Sequence, residues 1–291
     1  MSTLASLLPI GLAFIMFALG LKLSGEDFRR VLTHPLPVLL GLVAQIVLLP
    51  LTAFAITILF DLEPAMAVGL MILAACPGGV SAAMITHLAR GDTCLSITLT
   101  ALTSLLSFVT VPLIVGLSLA HFLGQTGGVG YPIAQGVVGL FLITLLPVAA
   151  GVFVHHAGWL SEGLSRFLSA GATVVFALIV VATFVTEWPS ITLHFAAVGG
   201  AILLLNGLTM ATGAAIGALG RLPSDGRVAL SVECGIQNSA LGITVAVSLL
   251  AQPALAVPSV IYAFLMNLTA LVLILTRRLK PGHAGHQVLG S

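Results

Sequence analysis

Charge is what this chain has least of: ten Lys or Arg and nine Asp or Glu in 291 residues. With 59% of its residues hydrophobic, a chain of this length cannot hide its apolar surface in a water-soluble fold, which leaves a bilayer as its solvent. The bases sit in the connections between apolar stretches, so nothing in them suggests nucleic acid as a partner. Cysteine is equally scarce. Cys76, Cys94 and Cys234 are an odd set without paired spacing, so no disulfide framework is expected. A basic segment ahead of the first apolar stretch is also missing; Lys22, Arg29 and Arg30 follow it instead. That pattern reads as an uncleaved span, not as a signal peptide.

Long apolar runs are what the chain does have. Nine can be drawn, at 4–22, 36–60, 65–89, 93–120, 131–156, 164–186, 191–219, 226–251 and 256–276, and most reach the roughly 20 residues that cross a hydrocarbon core. The scarce bases test this count. Lys22, Arg29 and Arg30 fall in the first connection, Arg90 in the third, Arg166 in the fifth, Arg221 and Arg227 in the seventh, and Arg277, Arg278 and Lys280 in the tail. The even-numbered connections hold none. Loops rich in Lys and Arg stay cytoplasmic, so the expectation is a multi-pass protein of the cell (inner) membrane, amino end outside and carboxyl end inside. Trp159 and Trp188, both in short connections, fit the interfacial belt. Residues 1–280 read as one transmembrane transporter domain and 281–291 as a flexible cytoplasmic tail.

Two spans carry their own interruption. The third reads Leu73-Ala-Ala-Cys-Pro-Gly-Gly-Val-Ser81, where proline removes a backbone donor and glycine weakens a helix. The eighth reads Val232-Glu-Cys-Gly-Ile-Gln-Asn-Ser239, a polar run in an otherwise aliphatic stretch. Irregular backbone at membrane depth survives only when buried in protein or lining a wet cavity. The two segments resemble each other at an offset of 160 residues, with Leu62, Val68 and Leu70 matching Leu222, Val228 and Leu230. One enters from outside and the other from inside, so they read as an inverted repeat. Interrupted segments in corresponding positions of two halves point to a transporter's binding site.

Glu233 is the one ionisable residue well inside a span. On insertion scales such a group costs about 2.5–3.5 kcal/mol, so it is expected to face a partner, an ion or water. No Lys or Arg lies at comparable depth, which leaves a bound cation or a proton. Gln237, four residues on, shares its helix face and offers a neutral oxygen. One carboxylate among neutral oxygens suits a hard monovalent cation. The fourth span carries Thr93, Ser96, Thr100, Thr103, Ser107 and Thr110 on one face. Most of that stripe reads as close helix packing, while Ser96 and Thr100 can add oxygens to a cation site. Gln45 and Asn267 are isolated amides in spans flanking the interrupted pair. Gly213 and Gly217 read as close-packing positions, and His155 and His156 as an interfacial pair. A membrane enzyme would need a second acid, a nucleophile–base pair or a metal cluster at depth, and only Glu233 is there. A sensor that binds without transporting would keep the same residues.

These residues resemble the bile acid:sodium symporter family, in the form of its nine-span bacterial members. The resemblance rests on Phe17-Ala-Leu-Gly-Leu-Lys-Leu with Asp27-Phe28 after it, Ala44-Gln45, Cys76-Pro-Gly-Gly79, Leu88-Ala-Arg-Gly91 and Glu233-Cys-Gly-Ile-Gln-Asn-Ser239, in this order and spacing. It implies an all-α membrane fold in which spans 3 and 8 are discontinuous helices that cross. Spans 2–4 and 7–9 would form a core, and spans 1, 5 and 6 a panel that moves against it. The resemblance also implies sodium-coupled symport of an organic anion, bile acid-like or a small carboxylate, by alternating access. One sodium site would use Gln45, Glu233, Gln237 and the backbone oxygens of Cys234 and Ile236. A second would use Glu233, Ser96 and Thr100 with a Ser-Asn pair, in whose place this chain has Ala82 and Ala83. One sodium ion is therefore expected, two only if the depleted site still fills. Gly79, Val80, Ser81, Asn238 and Asn267 would form the substrate face, which lacks an Asn at 83.

Overall fold

A computed structural model describes residues 3–124 and 133–279. The described residues form helices and their connections. The amino end of the fifth stretch (131–132) and the tail lie outside them.

In chain order the helices are α1 (Thr3–Gly20), α2 (Gly25–Thr33), α3 (Pro35–Leu59), α4 (Pro64–Ala75), α5 (Ala82–Leu88) and α6 (Thr93–Phe122). There follow α7 (Ala134–His156), α8 (Glu162–Thr186), α9 (Trp188–Leu219), α10 (Ser224–Gly235), α11 (Ser239–Leu249) and α12 (Pro253–Leu279). Six of them, α3, α6, α7, α8, α9 and α12, are each long and apolar enough to cross a membrane alone. A seventh candidate joins α1 to α2 across an 81° bend. The third and eighth stretches contain no helix of spanning length, because each is split. A count of nine spans treats each split pair as one crossing.

Helix starts and stops follow local chemistry. Proline opens α3, α4 and α9 in the first turn, where its missing N–H costs nothing. Asp92 caps α6 by accepting from Leu95 N at 3.0 Å, and Ser161 caps α8 by accepting from Leu164 N at 3.3 Å. Prolines inside helices are accommodated differently. Ala44–Leu48 and Phe141–Leu145 form single π turns, and Pro50 and Pro147 follow each by two residues. The proline ring crowds the carbonyl four residues back, Ile46 and Ile143, and a widened turn there relieves it. The sequence reading treats both stretches as plain spans.

The α3–α4 and α9–α10 connections are built alike. Asp61 and Arg221 both adopt left-handed backbone, with φ 45° and 57°. Leu62 N reaches back to Thr57 O at 3.0 Å, and Leu222 N to Gly217 O at 2.8 Å. These paired turns sit 160 residues apart and lead into half-helices of equal length, Pro64–Ala75 and Ser224–Gly235. The breaks that follow differ: residues 76–81 in one and 236–238 in the other.

The broken helices occupy the interior. Every residue from Met66 to Ala75 and from Val228 to Gly235 is buried, as is all of Ser239–Thr244. The continuous helices bury only 22% to 39% of their most apolar windows, leaving aliphatic surface for lipid. Close contacts rely on glycine where backbones touch: a Cβ at Gly20 would strike Val148 O, one at Gly151 would strike Phe17 O, and one at Gly213 would strike Leu230 O. These contacts lock α1 to α7 and α9 to α10.

At one end of the bundle the basic residues tie connections together. Arg30 of α2 pairs with Asp92. Asp92 N bonds Asp225 O at 3.0 Å, and Arg277 bonds Ser224 Oγ at 3.0 Å. Arg278 reaches Leu88 O at 3.3 Å. The opposite end carries a hydrogen bond between Glu63, which precedes α4, and His194 Nε2 on α9, at 2.9 Å.

Candidate functional site

The two breaks hydrogen-bond to each other. Each half-helix leaves unpaired peptide groups where it stops, and buried ones need a partner. Gly79 N donates to Ile236 O at 2.7 Å, and Asn238 N donates to Pro77 O at 2.9 Å, as one antiparallel bridge with Gly78 opposite Gln237. The crossing is therefore centred on an offset of 159 residues, from 78 to 237. The leading half-helices keep the offset of 160 expected from sequence; the crossing shifts by one because the breaks differ in length.

Glu233 lies in the last turn of α10 and is 1% exposed. Ser96 Oγ donates to its Oε1, and Thr100 Oγ1 lies 2.9 Å from Oε1 and 3.0 Å from Oε2. One helical turn separates the two donors on α6, as their spacing requires. Among the described residues, no Lys, Arg or His pairs with this carboxylate. Beside it stand two amides. Gln45 Nε2 donates to Glu233 O at 3.3 Å. Gln237 Nε2 donates to Glu233 O at 3.3 Å and to Cys234 O at 3.0 Å. The Oε1 atoms of both amides are buried without a donor, an arrangement that is costly for neutral packing residues.

Gly78 lets the Glu233 carboxylate approach the broken backbone closely. A Cβ there would overlap Glu233 Oε2 and lie 3.3 Å from both Gln45 Nε2 and Thr100 Oγ1. Gly78 has no positive φ among the described residues, so it is glycine for room, not for conformation. The cradle of groups gathered around Gly78 brings one negative charge, the hydroxyls bonded to it and the Gln45 amide together, with the donor-free oxygens of the Gln45 and Gln237 side chains also buried. Among the described residues no three His, Cys, Asp or Glu cluster as a metal site. A single net negative charge with hard neutral oxygens matches a monovalent cation better than a divalent one. The donor set thus fits sodium.

Other residues singled out from sequence fall as follows. Ile236 is extended, at φ −109° and ψ 97°. Its carbonyl oxygen takes Gly79 N, which leaves one lone pair. Cys234 O accepts from Gln237. Asn238 begins α11, accepting from Leu241 N at 3.1 Å, while its Nδ2 is buried without a partner. Gly79 is buried at the crossing; Val80 and Ser81 are half-buried after it. Ala82 is fully buried and Ala83 half-buried on α5, contributing no side-chain oxygen. Asn267 is exposed, and its Nδ2 bonds Ala263 O in its own helix at 2.6 Å. Among the described residues no hydrogen bond joins it to the crossing. Down the hydroxyl stripe, Thr103 and Ser107 bond α6 carbonyls, as close packing requires. Thr103 and Thr110 also line a small cavity with Gln45, Cys76 and Pro77.

Three residues at the site are passed over by the sequence reading. Gly78 is counted there only as a helix breaker. Asn206 and Tyr262 converge on the end of α10, at Gly235 O. Asn206 could have been found by the signal that marks Gln45, a lone amide in an aliphatic run.

The chain is 28% identical to an uncharacterized sodium-dependent transporter of Bacillus subtilis (strain 168), covering 97% of this chain and 87% of that protein. It is 30% identical to a probable chloroplastic sodium/metabolite cotransporter of Oryza sativa subsp. japonica, over 90% of this chain and 61% of the relative. It is also 30% identical to the human ileal sodium/bile acid cotransporter, over 53% of this chain and 43% of the relative. It thus spans most of the first relative but under two thirds of the other two. A family model matches residues 9–193, well over half of the sequence, and with it the chain belongs to the Sodium Bile acid symporter family, whose members are transporters and not enzymes.

Proposed function

We propose that this protein imports an organic anion, a small or amphipathic carboxylate, with sodium as the co-transported ion, by alternating access. The observation that carries the reading is the buried Glu233 carboxylate, which has no basic partner among the described residues and packs against Gly78 beside two glutamines whose amide oxygens are buried without a donor. On this reading the chain crosses the cell membrane nine times, amino end outside, with α4–α5 and α10–α11 as two inverted, broken crossings. The gathering of Arg30, Arg277 and Arg278 at one end supports that orientation. Spans 1, 5 and 6 form the moving panel and the rest the core; the glycine contact that locks α1 to α7 supports grouping spans 1 and 5. Sodium is held by Glu233, Gln45, Gln237 and the oxygens of Cys234 and Ile236. Ser96 and Thr100 orient the carboxylate. The anion sits on the other side of the crossing, near Gly79, Val80, Ser81 and Asn238, whose unpartnered Nδ2 is a donor for it. Asn267 joins this face only if the panel closes over it. Sodium stabilises the crossed geometry, so ion and anion raise each other's affinity.

Ala82 and Ala83 leave the second ion position short of two side-chain oxygens, so one sodium ion moves per anion. Two sodium ions with a monoanion carry one net charge, worth about 2.3 kcal/mol per 100 mV, while one ion carries none. Uptake of a carboxylate panel into proteoliposomes is expected to require a sodium gradient, to rise hyperbolically with sodium and to draw no current. Ala82→Ser with Ala83→Asn is expected to steepen the sodium dependence and add inward current. A steep sodium dependence with clear current in the unmodified protein would refute single-ion coupling.

Proton coupling through Glu233 is the second reading. It predicts uptake driven by a pH gradient in sodium-free buffer. Hydroxyl neighbours accept from a carboxylic acid as readily as they donate to a carboxylate, so this uptake measurement decides between the two readings.

A further inference from the structure

Gly235 closes α10, and its carbonyl has lost its helical donor. In an unbroken helix that oxygen would take the amide of Ser239, but Ser239 N bonds Gln237 O at 2.9 Å instead. Side chains from two other helices take its place. Asn206 Nδ2, from α9, donates to Gly235 O at 2.7 Å, and Tyr262 OH, from α12, donates to the same oxygen at 2.9 Å. The two donors are joined at 3.0 Å, and both are fully buried.

The placement of this clamp gives it a consequence beyond satisfying one carbonyl. Gly235 C=O belongs to the peptide that links α10 to the break, so pinning it fixes the plane of that peptide. The plane sets the direction in which Ile236 leaves the helix, and so where Ile236 O meets Gly79 N. The two preceding carbonyls, of Glu233 and Cys234, face the amides of Gln237 and, for Glu233, Gln45. Successive carbonyls are thus drawn to opposing partners, and the clamp holds one side of that pull.

We infer that Asn206 and Tyr262 are positioning residues for the cation, holding the end of α10 so that Glu233 and the Cys234 carbonyl face the cradle beside Gly78. This rests on the sodium site proposed above. Neither residue touches the cradle itself, so their loss weakens ion binding without removing a ligand. They also connect α9 and α12 to the ion, which gives those helices a direct hold on the break.

The test is a sodium titration of thermal stability on the purified full-length protein, at constant ionic strength with choline as the replacement ion. Tyr262→Phe and Asn206→Leu are each expected to raise the sodium midpoint about ten-fold, the size of one buried hydrogen bond. The double variant is expected to be worse than either single one, because it leaves Gly235 O with neither side-chain donor. Thr183→Val, which removes an equally buried hydroxyl bonded within α8, is expected to leave the midpoint unchanged. Either single variant decides alone if the other does not fold. Midpoints within about two-fold of the unmodified protein would overturn the positioning role. An unmodified protein indifferent to sodium, melting like Glu233→Gln throughout the titration, would instead overturn the sodium site, and the clamp's role with it.

Discussion

Glu233→Gln is expected to lower sodium-driven uptake by at least about 100-fold, the scale of removing a charge-assisted interaction from a desolvated site. The substitution keeps the side chain's size and its place beside Ser96 and Thr100 but removes the only negative charge in the cradle. Removing a buried charge also removes its desolvation cost, so the variant should fold and melt no lower than the unmodified protein in sodium-free buffer. The diagnostic difference is that sodium no longer stabilises it. Uptake above half of the unmodified rate would sink the proposal that this carboxylate grips the co-transported ion. Because proton coupling also predicts a dead variant, uptake by the unmodified protein in sodium-free buffer under a pH gradient is the companion measurement.

Gly78→Ala should do comparable damage by the opposite route, pushing the Glu233 carboxylate aside while removing no ligand. The added methyl would overlap Glu233 Oε2 and crowd Gln45 and Thr100 at 3.3 Å. Backbone carries no penalty, since Gly78 does not use the left-handed region. The variant should therefore fold, yet need at least about ten-fold more sodium for half-maximal uptake, in the range of overpacking costs for a tight interior. Gly207→Ala, on α9 with nothing within 4 Å of the new methyl, is the matched control and should behave as unmodified. If Gly78→Ala keeps its sodium midpoint, the ion does not lie where these oxygens converge.

How much of this is legible in the residues alone depends on whether the signal lies within one element or between several. The two breaks are legible because Pro77, Gly78 and Gly79 oppose a helix by their own chemistry, and because Glu233-to-Asn238 is polar where lipid-facing sequence is not. Helical spacing alone places Ser96 and Thr100 on one face. That this face meets Glu233 comes from family resemblance, since periodicity within one helix cannot say which other helix it faces. The shift from 160 to 159 at the crossing is hidden because breaks of six and three residues have no period to compare. Gly78 looks like a helix breaker because sequence cannot separate a glycine that must bend from one that must make room. Asn206 and Tyr262 escape the sequence for a related reason: their shared target is a backbone oxygen, which has no letter there. The helix α2 reads as a connection because nine residues with four charges fall short of any spanning pattern.

The reciprocal bonds between the two breaks also bear on how the protein is made. Gly79 N and Pro77 O have their partners at Ile236 and Asn238, and those residues are synthesised some 160 positions later. Until then the first broken helix lacks the partners it has in the finished fold, and a peptide group left unpaired in hydrocarbon costs several kcal/mol. The amino-terminal half therefore cannot mature alone during translation. Its final shape waits for the second half to thread in beside it, and truncation anywhere before residue 238 leaves an unfinished seam for quality control to find.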